Sequence, residues 1–170
     1  TRLQSKIYNS LGEIYSNTLR KFPGRSRIDL ENRLKYIKLA QYQFKRAKSY
    51  DTQNYKAYLN LGDLYYRGGK ELFKPSSNIV SRDSNFHLDM AKREYESGIA
   101  IASNIENANL KLKPSIYYNL GYIYYKKIKD YTKASDLFRR AFLATGRNST
   151  PEINTALGLA YLRGNQPDLA

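Results

Sequence analysis

Catalysis needs side chains that pass protons, hold metals or attack electrophiles, and this sequence offers few of them. His87 is the only histidine and there is no cysteine. No triad or His-based metal cluster is read around His87. The lack of Cys removes disulfides, thiolate metal sites and thiol nucleophiles. Gly68-Gly69-Lys70 has the look of a phosphate-cradling turn. Leu64 stands where such a loop has its first Gly, however, and Glu71 stands where it has Ser or Thr. Asn148-Ser149-Thr150 is a glycosylation sequon, meaningful only in a eukaryotic secretory protein. Carboxylates occur in pairs, but nothing in the pattern marks a cleft around them. The reading is therefore of a non-enzyme with no cofactor and no metal. His87, at the border of a polar stretch, is expected to be solvent-exposed.

What remains is the chemistry of contact. The chain has 17 Tyr, and its 29 Lys and Arg against 15 Asp and Glu give a net charge of +14. A Tyr ring is a rigid apolar face with a polar tip, suited to a binding surface. An Asn amide both donates to and accepts from an extended peptide backbone. A basic excess steers a protein toward acidic partners, anionic membranes or nucleic acid.

The elements that must position these groups are written as a repeat. Tyr-x-x-Leu-Gly-x-x-Tyr occurs at Tyr8, Leu11, Gly12, Tyr15; at Tyr58, Leu61, Gly62, Tyr65; and at Tyr117, Leu120, Gly121, Tyr124. Asn154, Leu157, Gly158, Tyr161 keeps all but the first residue. This spacing puts the four residues on one helical stripe. The Gly weakens a helix by about 1 kcal/mol against Ala, so its recurrence predicts close approach of a second helix. That helix is announced by a small–aromatic–small set: Ala40, Phe44, Ala47; Ala91, Tyr95, Gly98; Ala134, Phe138, Ala141. A small residue of this second helix is expected to meet the Gly of the first.

These matches resemble the tetratricopeptide repeat (TPR), most closely over residues 114–147; Sel1-like repeats are a related alternative. The resemblance implies an all-α solenoid of TPR-type helical hairpins, wound as a right-handed superhelix. It reads as one domain over residues 1–170, a piece of a larger protein. Repeat 1 spans about 5–53 with an insertion at about 20–36, and repeat 2 about 55–113 with an insertion at about 69–86. Repeat 3 spans about 114–148, and the first helix of repeat 4 about 151–164. The insertions follow from the Gly-to-Ala separations, 28 and 29 residues in the first two repeats against 13 in the third. Gly12, Gly62, Gly121, Gly158, Ala40, Ala91 and Ala134 are the structural positions. Locally, Asp29 is the expected N-cap of a helix from Leu30 to about Tyr50, Gly68-Gly69 the end of a helix over 54–67, and Pro151 the start of the last helix.

By the same resemblance a concave groove binds partners. It would contain Lys6, Asn9 and Glu13; then Lys56, Leu59, Asn60, Asp63 and Tyr66; then Tyr118, Asn119, Tyr122, Tyr125 and Lys126; and finally Thr155, Leu159 and Leu162. The family's chaperone-tail clamp needs a Lys–Asn, Asn, Lys–Arg set. Asn9, Glu13, Asn60, Ser115 and Asn119 stand at those places and only Asn60 matches. A chaperone C-terminal carboxylate is therefore not the expected ligand. The function implied is a protein–protein interaction scaffold holding a peptide or helix, acidic in one reading. Composition and the habits of such scaffolds point to a bacterial cell-envelope or motility-type assembly, in the periplasm or envelope rather than the cytoplasm. The alternative is a basic-surface binder of nucleic acid or anionic lipid through Arg20, Lys21, Arg25, Arg27, Arg33, Lys35 and Lys38.

Overall fold

The computed structural model describes residues 1–72, 86–105 and 112–164. All regular structure among them is helical: α1 (Arg2–Thr18), α2 (Arg27–Tyr50), α3 (Tyr55–Leu72), α4 (Phe86–Ser103), α5 (Pro114–Ile123), α6 (Tyr131–Thr145) and α7 (Pro151–Arg163). The chain divides into two compact units, Thr1–Asn104 and Ile105–Ala170. In the first, α1 packs on α2, α2 on α3, and α3 on α4. In the second, α5 packs on α6 and α6 on α7. Pro75–Asn78 and Ser81–Asn85, which read from their composition as a loop and a turn, lie outside the described residues.

Each helix pair closes on its glycine, but not with the predicted partner. The aromatic residue of the second helix, not a small one, lies over the Gly. A Cβ at Gly62 would stand 2.7 Å from Tyr95 Cδ1, and one at Gly121 2.8 Å from Phe138 Cε1. A Cβ at Gly12 would collide with the Phe44 ring. A ring is too thick to fit between helices in contact unless the facing residue has no side chain. Phe44, Tyr95 and Phe138 are buried, as are Ala40, Ala47, Ala91, Ala134 and Ala141. Burying each ring contributes about 1.5–3 kcal/mol, more than the roughly 1 kcal/mol that the helical Gly costs. Gly158 is half-buried.

Several local expectations are corrected. The α2 N-cap is Ser26, whose Oγ accepts from the Asp29 N–H at 3.0 Å; Asp29 sits inside the first turn. Gly68 and Gly69 do not end α3, which runs on to Leu72. They are packing positions: a Cβ on Gly68 would be 2.9 Å from Ile37 Cδ1, and one on Gly69 would run into His87 Cβ. His87 is accordingly buried, not exposed. Pro151 does begin α7. The third pair has an irregular joint. α5 ends in a π turn, Tyr124–Ile128, after which Lys129 turns left-handed at φ 61°. Asp130 then caps α6 by accepting from the Lys133 N–H at 3.0 Å.

Candidate functional site

In the first unit the polar groove positions are tied to one another. Asn60 of α3 donates through its amide to Asn9 Oδ1 at 3.1 Å and to Glu13 Oε1 at 2.8 Å, both on α1. Asn9, itself buried, donates to the same Glu13 oxygen at 3.0 Å. The hydrogens that were expected to address a peptide therefore join two helices. Leu59 is buried, close to Gly98. Asp63 accepts from the Tyr95 hydroxyl at 2.6 Å. Tyr66 is half-buried, and Lys6 and Lys56 are exposed.

The second unit presents a different surface. Tyr118 and Tyr122 stack at 6.5 Å between centroids with planes 26° apart. Tyr118 also lies 5.6 Å from Phe138, the ring that seats on Gly121. Tyr125 meets Tyr131 edge-on at 5.4 Å, and the Lys126 ammonium and Arg163 guanidinium lie 5.6 and 5.9 Å from its centroid. Burial, then Tyr122 and Glu152, push the Tyr118 phenol above the usual tyrosine value. Tyr122 is 36 % exposed, and α7 adds Leu159 and Leu162 at 43 and 54 %. Thr155 is exposed as well, while Asn119 is buried. The aromatic row thus carries positive charge at the Tyr125 end and Glu152 near Tyr118.

The basic residues of the first insertion are mostly on the surface. Arg20, Lys21, Arg25, Arg27, Lys35 and Lys38 are exposed. Arg33 is half-buried and donates to the Phe22 carbonyl at 3.0 Å, pinning the loop to α2. Arg27 pairs with Glu31 at 2.9 Å. Glu31, Leu34, Lys35, Lys38 and Leu39 line an open depression of about 480 Å³.

One cluster was missed in the sequence. Arg46 donates to the hydroxyls of Tyr42 (3.2 Å) and Tyr50 (2.9 Å), and its guanidinium lies 4.5 Å from the Tyr8 ring centroid. Tyr8 and Tyr50 stack at 5.2 Å. The Arg46 hydrogen bond, followed by its charge, holds the Tyr50 phenol below the usual tyrosine value. The signal was present as Tyr42, Arg46 and Tyr50 at one-turn helical spacing.

No group of His, Cys, Asp or Glu among the described residues could hold a metal ion, and no helix there is long and apolar enough to cross a membrane. No protein-family model matches the chain, and no curated protein matches it.

Proposed function

We propose that the chain is a TPR-type interaction module, a non-catalytic scaffold whose helix pairs stack as a right-handed superhelix. The recurring seat of an aromatic ring on a helical Gly in three successive pairs supports the repeat reading. The partner is a peptide or helix. The observation that carries its site is the Tyr118–Tyr122 stack, in which Tyr118 is half-buried and Tyr122 is 36 % exposed. Aromatic anchors in a partly desolvated setting supply most of the energy of such interfaces. In the first unit, by contrast, Asn9, Glu13, Asn60 and Asp63 already spend hydrogen bonds within the fold. The cell-envelope assembly belongs to this reading through composition and the habits of repeat scaffolds.

The test is a pull-down from the source cells with the wild type and with Tyr118→Ala/Tyr122→Ala, each at low and high salt. A protein retained in high salt by the wild type alone, with helical circular dichroism unchanged in the variant, supports the tyrosine face. Capture that is lost in salt and indifferent to the tyrosines moves the function to the six exposed basic residues around the first insertion, since such binding weakens as ions screen it.

A further inference from the structure

α1 carries an apolar stripe that is exposed among the described residues. Leu3, Ile7 and Ile14 are 68, 50 and 59 % exposed. The repeat supplies the comparison. Aligning Tyr8 with Tyr58 and Asn154 makes Ile7 and Ile14 equivalent to Ala57 and Leu64 of α3, and to Ile153 and Ala160 of α7. All four of those residues are buried.

α3 lays this face on the preceding helix α2. Gly68 meets Ile37, the Tyr65 hydroxyl accepts from Gln41 Nε2 at 3.0 Å, and the Tyr58 ring lies 4.1 Å from the Lys48 ammonium. The numbers rise on one helix as they fall on the other, so the two are antiparallel. α7 lays the same face on α6, and a Cβ at Gly164 would stand 3.7 Å from Tyr131 Cβ. Gly164 is equivalent to Gly68, and Tyr131 to Ile37, counting from Ala134 and Ala40. One docking mode is therefore used in both units. The place equivalent to Gly68 on α1 is Thr18.

We infer that the Leu3–Ile7–Ile14 face of α1 docks a partner helix, antiparallel to α1, with an aliphatic or aromatic stripe bordered by acidic residues. The stripe follows from the apolar Leu3, Ile7 and Ile14 that it must cover, and from the large residue, Ile37 or Tyr131, that α2 and α6 set at the places equivalent to Thr18. The acidic border follows from charge. Arg2 and Lys6 are exposed on α1 and Arg20 and Lys21 just beyond it, whereas Glu13 is engaged with Asn9 and Asn60. At +14 per chain, a second copy is repelled. This face is separate from the tyrosine row and does not depend on it.

The test uses the whole chain and two end-blocked synthetic helical peptides. Both carry an Ile/Leu stripe at i, i+4 and i+7; one is bordered by Glu, the other by Lys. Binding is read by fluorescence anisotropy and by hydrogen exchange of the α1 amides. The Glu-bordered peptide should bind and slow exchange in α1. Leu3→Gln/Ile7→Gln/Ile14→Gln should weaken it by at least about tenfold, as should the Lys border. These positions are exposed, so helicity should persist; Ile7→Gln alone carries the test if it does not. Absence of binding, binding undiminished by the variant, or protection outside α1 overturns the inference. So does a wild-type dimer in sedimentation that the variant dissolves, which would make a second copy the occupant.

Discussion

Gly62→Ala should lose stability even though alanine is the better helix former. A Cβ at this position would stand 2.7 Å from Tyr95 Cδ1, 2.9 Å from Cε1 and 3.1 Å from Cγ. Carbon atoms rest at about 3.5–4.0 Å, so the ring must retreat by roughly 1 Å. Tyr95 is fully buried, and its hydroxyl is held on Asp63 at 2.6 Å. Retreat therefore disturbs packing and a hydrogen bond together. Overpacking of this kind costs about 1–3 kcal/mol, while helix propensity returns about 1 kcal/mol. The net loss should be about 1 kcal/mol, or roughly 2–4 °C in Tm. Urea unfolding followed by far-ultraviolet circular dichroism measures it. The deciding arm is the Tyr95→Leu background. With the ring gone, the same Gly62→Ala should be neutral or gain up to about 1 kcal/mol, a coupling of about 1–2 kcal/mol between sites in contact. A gain of about 1 kcal/mol in both backgrounds, as expected of an exposed helical Gly, would refute the seat of the ring on the glycine.

Lys48 bridges α2 to α4, with its ammonium 2.6 and 2.8 Å from the two Glu94 oxygens and both side chains mostly covered. Lys48→Met should cost about 1–3 kcal/mol, less than the roughly 3–5 kcal/mol of a fully buried pair. Adding Glu94→Leu should restore most of it; a double variant as weak as the single would argue that the Lys stem, not the charge, matters. By ultraviolet absorbance the shifted tyrosines should separate into an early one and a late set. Tyr50, lowered by Arg46, ionises first, and Arg46→Met should erase that early step. Tyr58, Tyr65, Tyr117 and Tyr118, raised chiefly by burial, ionise last. Their contribution to stability is intact below about pH 10, the unfolded value, and is lost as pH climbs through their folded values. Tyr50 acts the opposite way, adding stability as pH rises from its lowered folded value toward about 10. Alkaline unfolding should therefore track the late group; unfolding complete before the late absorbance step would contradict this assignment. For the tyrosine face, Tyr118→Ala/Tyr122→Ala should abolish partner retention with helicity unchanged, and retained affinity would move the site elsewhere.

The helix pairs were legible because periodicity survives any choice of partner. Three copies of Tyr-x-x-Leu-Gly-x-x-Tyr fix which face of α1, α3 and α5 turns inward. What the glycine meets was not legible. Small-on-small and ring-on-Gly share the same spacing, and only three-dimensional volume separates them. Gly68-Gly69 misled for a related reason. Paired glycines favour a helix end locally, yet here each admits a neighbour, Ile37 and His87, and tertiary packing overrides propensity. His87 was misplaced with them, since a buried His beside a Gly has no signature of its own. Ser26 lost to Asp29 as the expected cap because both types cap helices and the two lie within one turn. The candidate site was legible as a face but not as a set of free groups. Nothing in the sequence says that Asn60 is consumed by Asn9 and Glu13, because those residues lie a whole repeat away.

The anchorage of α1 has a consequence for how this chain is made. Ser5 donates to the Ala47 carbonyl at 2.7 Å and accepts from Asn54 at 2.8 Å, across 42 and 49 residues of sequence. A ribosome adds about 5–20 residues each second, so Asn54 follows Ser5 by roughly 2–10 s. A helix of this length forms in about a microsecond. For that interval the nascent chain holds α1 without its ties to Ala47 and Asn54, its inward face still open. Codon choice between Ser5 and Asn54 sets the length of that interval without altering a single contact in the finished fold.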